Sequence, residues 1–179
     1  MKQKPPERPV RVGLISLGCA KNLVDAEIML GTLLKDGIEI TNNASEADVV
    51  IVNTCSFIDS AQEESVDTIL ESGELREAKN RGQGLVVSGC LPQRFRDQLP
   101  ILLPEVDAFM GIDQVAHVTD IVKQALARRT ERMKDSPKSR INGPKRQKSK
   151  IVGRLAELDR ANGHASQQTR NTEPETRNP

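Results

Sequence analysis

Arg11-Val12-Gly13-Leu14-Ile15-Ser16-Leu17-Gly18-Cys19-Ala20-Lys21-Asn22-Leu23-Val24-Asp25 is the stretch on which the reading of this chain turns. Its apolar run, Val12 to Leu17, stops at Gly18-Cys19, and a helical pattern opens directly after it. That is a buried strand delivering a cysteine to its C-terminal end, followed by a helix. The event recurs twice: Val49-Val50-Ile51-Val52-Asn53-Thr54 runs into Cys55, and Leu85-Val86-Val87-Ser88-Gly89 runs into Cys90. The 3 cysteines of the chain all sit where a strand ends.

Outward from these strands the pattern alternates. Leu23, Ala26, Leu30, Leu33 and Leu34 share one face of a helix, with Asn22 expected as its N-cap and Asp25 three residues on. Gly37 ends that helix, Ile38–Ile40 reads as an edge strand, and Ala44–Asp48 as a single turn. Ser60-Ala61-Gln62-Glu63 matches a capping box and predicts a second helix carrying Val66, Ile69 and Leu70. Pro92 suits a helical first turn leading to Phe95 and Leu99. Val106–Gly111 reads as a last strand, and Val115, Val118, Ile121, Val122, Ala125 and Leu126 as an amphipathic helix with Asp113 near its cap. Strands apolar on both faces, alternating with helices, predict an α/β fold. The expected architecture is an open parallel sheet of about five strands with helices on both faces, flavodoxin-like in kind.

Charge divides the chain. Residues 1–127 hold 12 Lys/Arg against 19 Asp/Glu, whereas residues 128–179 hold 14 against 6. An acidic globular part is followed by a basic one. The expected organisation is a disordered leader over 1–10, a domain over 11–129 and a basic, largely disordered low-complexity tail over 130–179, in which Ile151–Leu158 is a short helical candidate. Met1–Val10 has no apolar core of a secretory signal and no run reaches membrane-span length, so the expected place is the cytoplasm, with reduced thiols. With 3 Phe and no Trp or Tyr, stacking platforms for single-stranded nucleic acid are not supplied. Nucleic acid is expected to be touched weakly, if at all, through the basic tail.

In an open parallel sheet, ligands bind outside the carboxyl ends of the strands. Neighbouring strand ends lie roughly 5 Å apart, so Cys19, Cys55 and Cys90 can meet there despite their separation in sequence. Gly18 and Gly89 let the backbone approach a bulky guest. The plainer alternative is three buried thiols acting as small hydrophobes in a non-catalytic binding module. No Cys-x-x-Cys suggests a redox pair, and structural zinc asks for four ligands while the 2 histidines, His117 and His164, lie on the last helix and in the tail. Three thiolates with no fourth ligand suit a 4Fe–4S cluster with one iron left open. The acidic row Glu63, Glu64, Asp67, Glu71, Glu74 and Glu77 reads as a solvated helix face, and Lys21 as a solvent-facing cation or an offset to cluster charge. For Asn22, Asn53 and Thr54, turn and capping duties and hydrogen bonds to the cysteine sulfurs stand equal.

The residues around the cysteines are more specific than their spacing. Ser16–Asp25, Val52–Ala61 (Val-Asn-Thr-Cys-Ser-Phe-Ile-Asp-Ser-Ala) and Ser88-Gly89-Cys90-Leu91-Pro92-Gln93 resemble the N-terminal domain of radical-SAM methylthiotransferases, over about residues 11–128. The likeness is nearest to the RimO-type enzymes, which methylthiolate an aspartate of a small-subunit ribosomal protein. The sibling branch that acts on tRNA usually has an aromatic residue before the first Gly-Cys, where Leu17 stands here, and a basic residue soon after the second Cys, where Phe57-Ile58-Asp59 stands. The resemblance implies that Cys19, Cys55 and Cys90 hold one auxiliary 4Fe–4S cluster. It also implies a second, radical-generating cluster on a Cys-x-x-x-Cys-x-x-Cys motif, and no cysteine follows Cys90 here. The expectation is therefore a cluster domain standing alone as a fragment, a truncated product or a split subunit, dependent on a separate radical-SAM polypeptide.

Overall fold

The computed structural model describes residues 8–135 and 148–170, so the expected disorder of most of the leader and of residues 136–147 and 171–179 lies outside the described residues. In chain order the elements are β1 (Arg11–Ser16), α1 (Ala20–Lys35), β2 (Glu39–Ile40), β3 (Val49–Thr54), α2 (Asp59–Lys79), β4 (Gly84–Gly89), α3 (Cys90–Arg94), α4 (Leu99–Leu102), β5 (Ala108–Met110), α5 (Val118–Asp135) and α6 (Lys148–Arg170). The five strands form one parallel sheet in the order β2-β1-β3-β4-β5. Every residue of β3 and β4 is buried, as a central strand covered on both faces must be.

Alternation along the strands divides the core into two layers. Val12, Val49, Ile51, Val86, Ala108 and Met110 face α1 and α5, meeting Met29, Leu33, Val118, Val122 and Ala125. Val50, Val52, Leu85 and Val87 face the other way, toward Val66 and Ile69 of α2, Leu91, Phe95, Leu99 and, from α6, Ile151 and Leu155. The boundary expected at residue 129 is passed in two ways. Helix α5 continues to Asp135, and α6 brings Leu155, fully buried, onto the sheet's second face. The reason is an apolar stripe, with Ile151 and Leu155 buried and Val152 and Leu158 partly buried beside them, which seats the helix on α2.

Two helix starts and one helix's continuity differ from expectation. Helix α1 is capped by Cys19, not Asn22, whose fully buried amide is used elsewhere. Helix α2 opens at Asp59 with Ile58 in the cap position, so Ser60 makes no capping box. The helix expected through Pro92, Phe95 and Leu99 is broken into α3 and α4.

At the N-terminal edge of the sheet, fully buried Asp107 accepts from Arg76 Nη1 (2.8 Å), Arg132 Nη1 (3.0 Å) and the Leu85 N–H (2.9 Å). A buried carboxylate is tolerated only when so matched. This charged edge lies opposite the strand ends that carry the cysteines.

Candidate metal centre

The order β2-β1-β3 reverses direction between β1 and β3, the switch point where doubly wound sheets open a crevice beyond their carboxyl ends. Cys19 follows β1 and Cys55 follows β3, so the two flank that point. Thr54 pairs with Gly89, so the residues that come next, Cys55 and Cys90, leave the sheet side by side. All three are free thiols: Cys19 exposed, Cys90 partly exposed and Cys55 buried.

The backbone is shaped for this meeting. Gly18 has φ +104°, and a Cβ there would lie 2.7 Å from Cys55 Cβ and 3.1 Å from its Sγ. Gly89 has φ +98°, and its Cβ would lie 2.4 Å from the Thr54 carbonyl oxygen. Both conformations are open to glycine alone at that distance. The glycines thus allow β1, β3 and β4 to close in just where each hands over its cysteine.

Asn22 ties the three ends together. Its Nδ2 donates to the Leu17 carbonyl (2.6 Å) beside Cys19 and to the Thr54 carbonyl (2.9 Å) beside Cys55. Its Oδ1 accepts from Cys90 Sγ at 3.8 Å. Asn53 Nδ2 in turn donates to the Asn22 carbonyl (2.8 Å), and Thr54 Oγ1 to the Ser88 carbonyl (2.6 Å). Asn22 reaches a cysteine sulfur, whereas Asn53 and Thr54 donate to backbone carbonyls and so hold the cysteine-bearing ends without touching a sulfur themselves. Ser65, unmarked by sequence reasoning, grips Cys55 from α2: its hydroxyl accepts from the Cys55 N–H (3.1 Å) and donates to the Cys55 carbonyl (2.8 Å). A fully buried serine beside Val66 and Ile69 was the available signal.

The thiols differ electrostatically. At the α1 cap, the backbone N–H groups of Asn22 and then Lys21 draw the Cys19 thiol below the ordinary range, although the sulfur makes no cap hydrogen bond of normal geometry. Cys90 is pushed up, first by burial and then by the neighbouring Cys55 sulfur, while Lys21 acts in the opposite sense. Lys21 itself pairs with Asp25 at 2.8 Å and is raised chiefly by that contact. His117 is exposed, before α5, and takes no part. We expect iodoacetamide at neutral pH to modify Cys19 first, Cys90 next and Cys55 last, since reactivity follows thiolate fraction and access. Peptide mass spectrometry over time measures the order, and early labelling of Cys55 would contradict the described burial.

Among the described residues no three His, Cys, Asp or Glu side chains gather around a point that would hold a single metal ion. A lone ion would need thiolates about 2.3 Å from one centre, whereas a cluster takes each thiolate on a different iron. The donor set fits the second case: three soft thiols, free of disulfides, at one sheet edge. A groove of about 360 Å³ along α2, lined by Ile15, Val50, Leu75 and Glu71, holds no cysteine and belongs to a different part of the surface.

A family model described as "Uncharacterized protein family UPF0004" matches residues 11–111. The chain belongs to this family. Curated relatives extend the likeness. The "Ribosomal protein uS12 methylthiotransferase RimO" of Akkermansia muciniphila is 54% identical over 122 residues, covering 67% of this chain and 27% of that protein. The protein of the same name from Symbiobacterium thermophilum is 51% identical over 120 residues, 67% and 24% of the two chains. That of Opitutus terrae is 52% identical over 138 residues, 75% and 29%. The chain spans about a quarter of the length of the curated relatives it matches. All three cysteines fall within the UPF0004 match. No helix among the described residues is long and apolar enough to cross a membrane.

Proposed function

We propose that residues 11–129 are the auxiliary cluster-binding domain of a methylthiotransferase, with Cys19, Cys55 and Cys90 as the three ligands of one 4Fe–4S cluster. The observation that carries this reading is the delivery of three free thiols to adjacent C-terminal strand ends, at the switch point, in a chain 54% identical over 122 residues to a ribosomal protein uS12 methylthiotransferase. When bound, such a cluster supplies an iron with no protein ligand, open to an external sulfur. The chain's own part is to hold and orient. Cys19 offers its thiolate readily, because the first N–H groups of α1 favour the charged form. Lys21 adds a positive charge near Cys19 and Cys90. Asn22 and Ser65 fix the strand ends so that three thiolates need little reorganisation to share one guest. The corresponding substrate is an aspartate of the small-subunit ribosomal protein uS12, and the place of action the cytoplasm. A tRNA substrate is the less supported reading, since the relatives named above carry the ribosomal-protein name.

Anaerobic reconstitution with iron and sulfide tests this. We expect about four irons per chain and the brown absorbance of an iron–sulfur centre. We also expect the 179-residue chain alone to leave S-adenosylmethionine uncleaved, because its 3 cysteines are committed to one site and none is left for a radical-generating cluster. A radical-generating cluster would need cysteines other than these three. A colourless protein after reconstitution would end the proposal in favour of a non-catalytic module with three packed thiols.

A further inference from the structure

Helix α6 begins 37 residues beyond the end of the UPF0004 match, at Lys148 against residue 111. It is nevertheless pinned to the domain between Lys148 and Asp159. Lys148 pairs with Asp67 of α2, Ile151 and Leu155 are buried, and Asp159 Oδ1 stands 2.6 Å from Arg94 Nε. That last contact leads to the cysteines. The same guanidinium donates from Nη1 to the Ser56 carbonyl at 3.0 Å, and Ser56 is buried directly after Cys55. Asp159 Oδ1 is itself buried and makes no hydrogen bond of normal angle, so its charge is matched through the Arg94 ion pair. Arg94 also lies over the Phe95 ring, 5.7 Å from its centroid.

We propose that Arg94 is a positioning residue for Cys55, aimed by α6: Asp159 holds the guanidinium so that it grips the Ser56 carbonyl and keeps the Cys55 turn closed. The relevance to a cluster rests on the reading under Proposed function, but the clamp itself is a property of the metal-free chain. Ser65 holds Cys55 from α2 and Arg94 holds the next peptide from α3; α6 packs on α2 and reaches α3 through the Arg94–Asp159 pair. A charged donor on a buried carbonyl, with its second face on a carboxylate, is the kind of contact whose loss opens a segment locally while the rest of the fold stays closed.

The experiment follows iodoacetamide labelling of each cysteine in the full metal-free chain, alongside thermal melting. Asp159→Asn and Arg94→Gln are expected to raise the Cys55 rate about fivefold, the size appropriate to one charge-assisted hydrogen bond on a half-exposed side chain. The Cys19 rate should stay as in the parent. Arg94→Lys, which keeps a cation for Asp159 but lacks the two-sided fork, should melt like the parent and still label Cys55 faster. Unchanged Cys55 labelling in Asp159→Asn and Arg94→Gln overturns the proposal. So does a parallel rise at all three cysteines with a lowered melting point, which would make the contact one of general stability. In the reconstituted chain the same variants should release iron to a chelator faster than the parent. If no cluster forms in any chain, the functional reading fails while the labelling result still judges the clamp.

Discussion

Cys55→Ala is expected to take the iron retained after anaerobic reconstitution from about four per chain to near none, with the metal-free fold preserved. Two thiolates remain, and a cluster held at two corners is lost on desalting. Cys55 is the most informative of the three because it is 5% exposed, in the turn that Ser65 and Arg94 secure. Removing one sulfur from a buried small side chain should cost about 1 kcal/mol or somewhat more, so the variant should fold and melt within a few degrees of the parent. Cys19→Ala and Cys90→Ala should give the same loss of iron. Exposed His117, outside the strand-end group, serves as control: His117→Ala should load like the parent. Iron and sulfide assays on the desalted proteins decide the matter. If the triple Cys→Ala variant retained iron and sulfide as the parent does, these cysteines would not be the ligands.

Gly89→Ala should be the most damaging single methyl in the domain. Gly89 sits at φ 98° and ψ −149°, a region that essentially only glycine enters. A Cβ there would meet the Thr54 carbonyl oxygen at 2.4 Å and Asn53 Oδ1 at 2.6 Å. Neither neighbour can yield: Thr54 is in a central strand, and the Asn53 amide is engaged with Asn22 and Ser88. Backbone strain and the clash together should cost about 3–5 kcal/mol, lowering the melting temperature by about 10 °C. Iron loading should fall as well, because β3 and β4 must part where Cys55 and Cys90 leave them. Gly37 provides the comparison. Its φ is +77°, yet nothing lies within 4 Å of an added Cβ, so Gly37→Ala should cost only about 1–2 kcal/mol. Equal melting points for the two variants would refute the account of Gly89.

The linear chain determined a good deal by itself. Continuous apolar runs at β1, β3 and β4, each followed by a helical period, specified a parallel sheet, and the cysteines at the run ends placed the candidate site on its carboxyl edge. These features were legible because burial on both faces leaves its mark residue by residue, without knowledge of any neighbour. What only the tertiary structure decided are contacts between groups far apart in sequence. Asn22 carries a capping signal, yet it spans three strand ends up to 68 residues distant, because a fully buried amide must find partners wherever the fold supplies them. Arg94 stands in no sequence motif, and its grip on Ser56 and Asp159 appears only once α3, α6 and the Cys55 turn are side by side. Helix α6 lies in a stretch whose composition pointed to disorder apart from a short helical candidate at Ile151–Leu158. Ile151 and Leu155, with Val152 and Leu158 beside them, seat it, and their value depends on packing against α2 that no local pattern records.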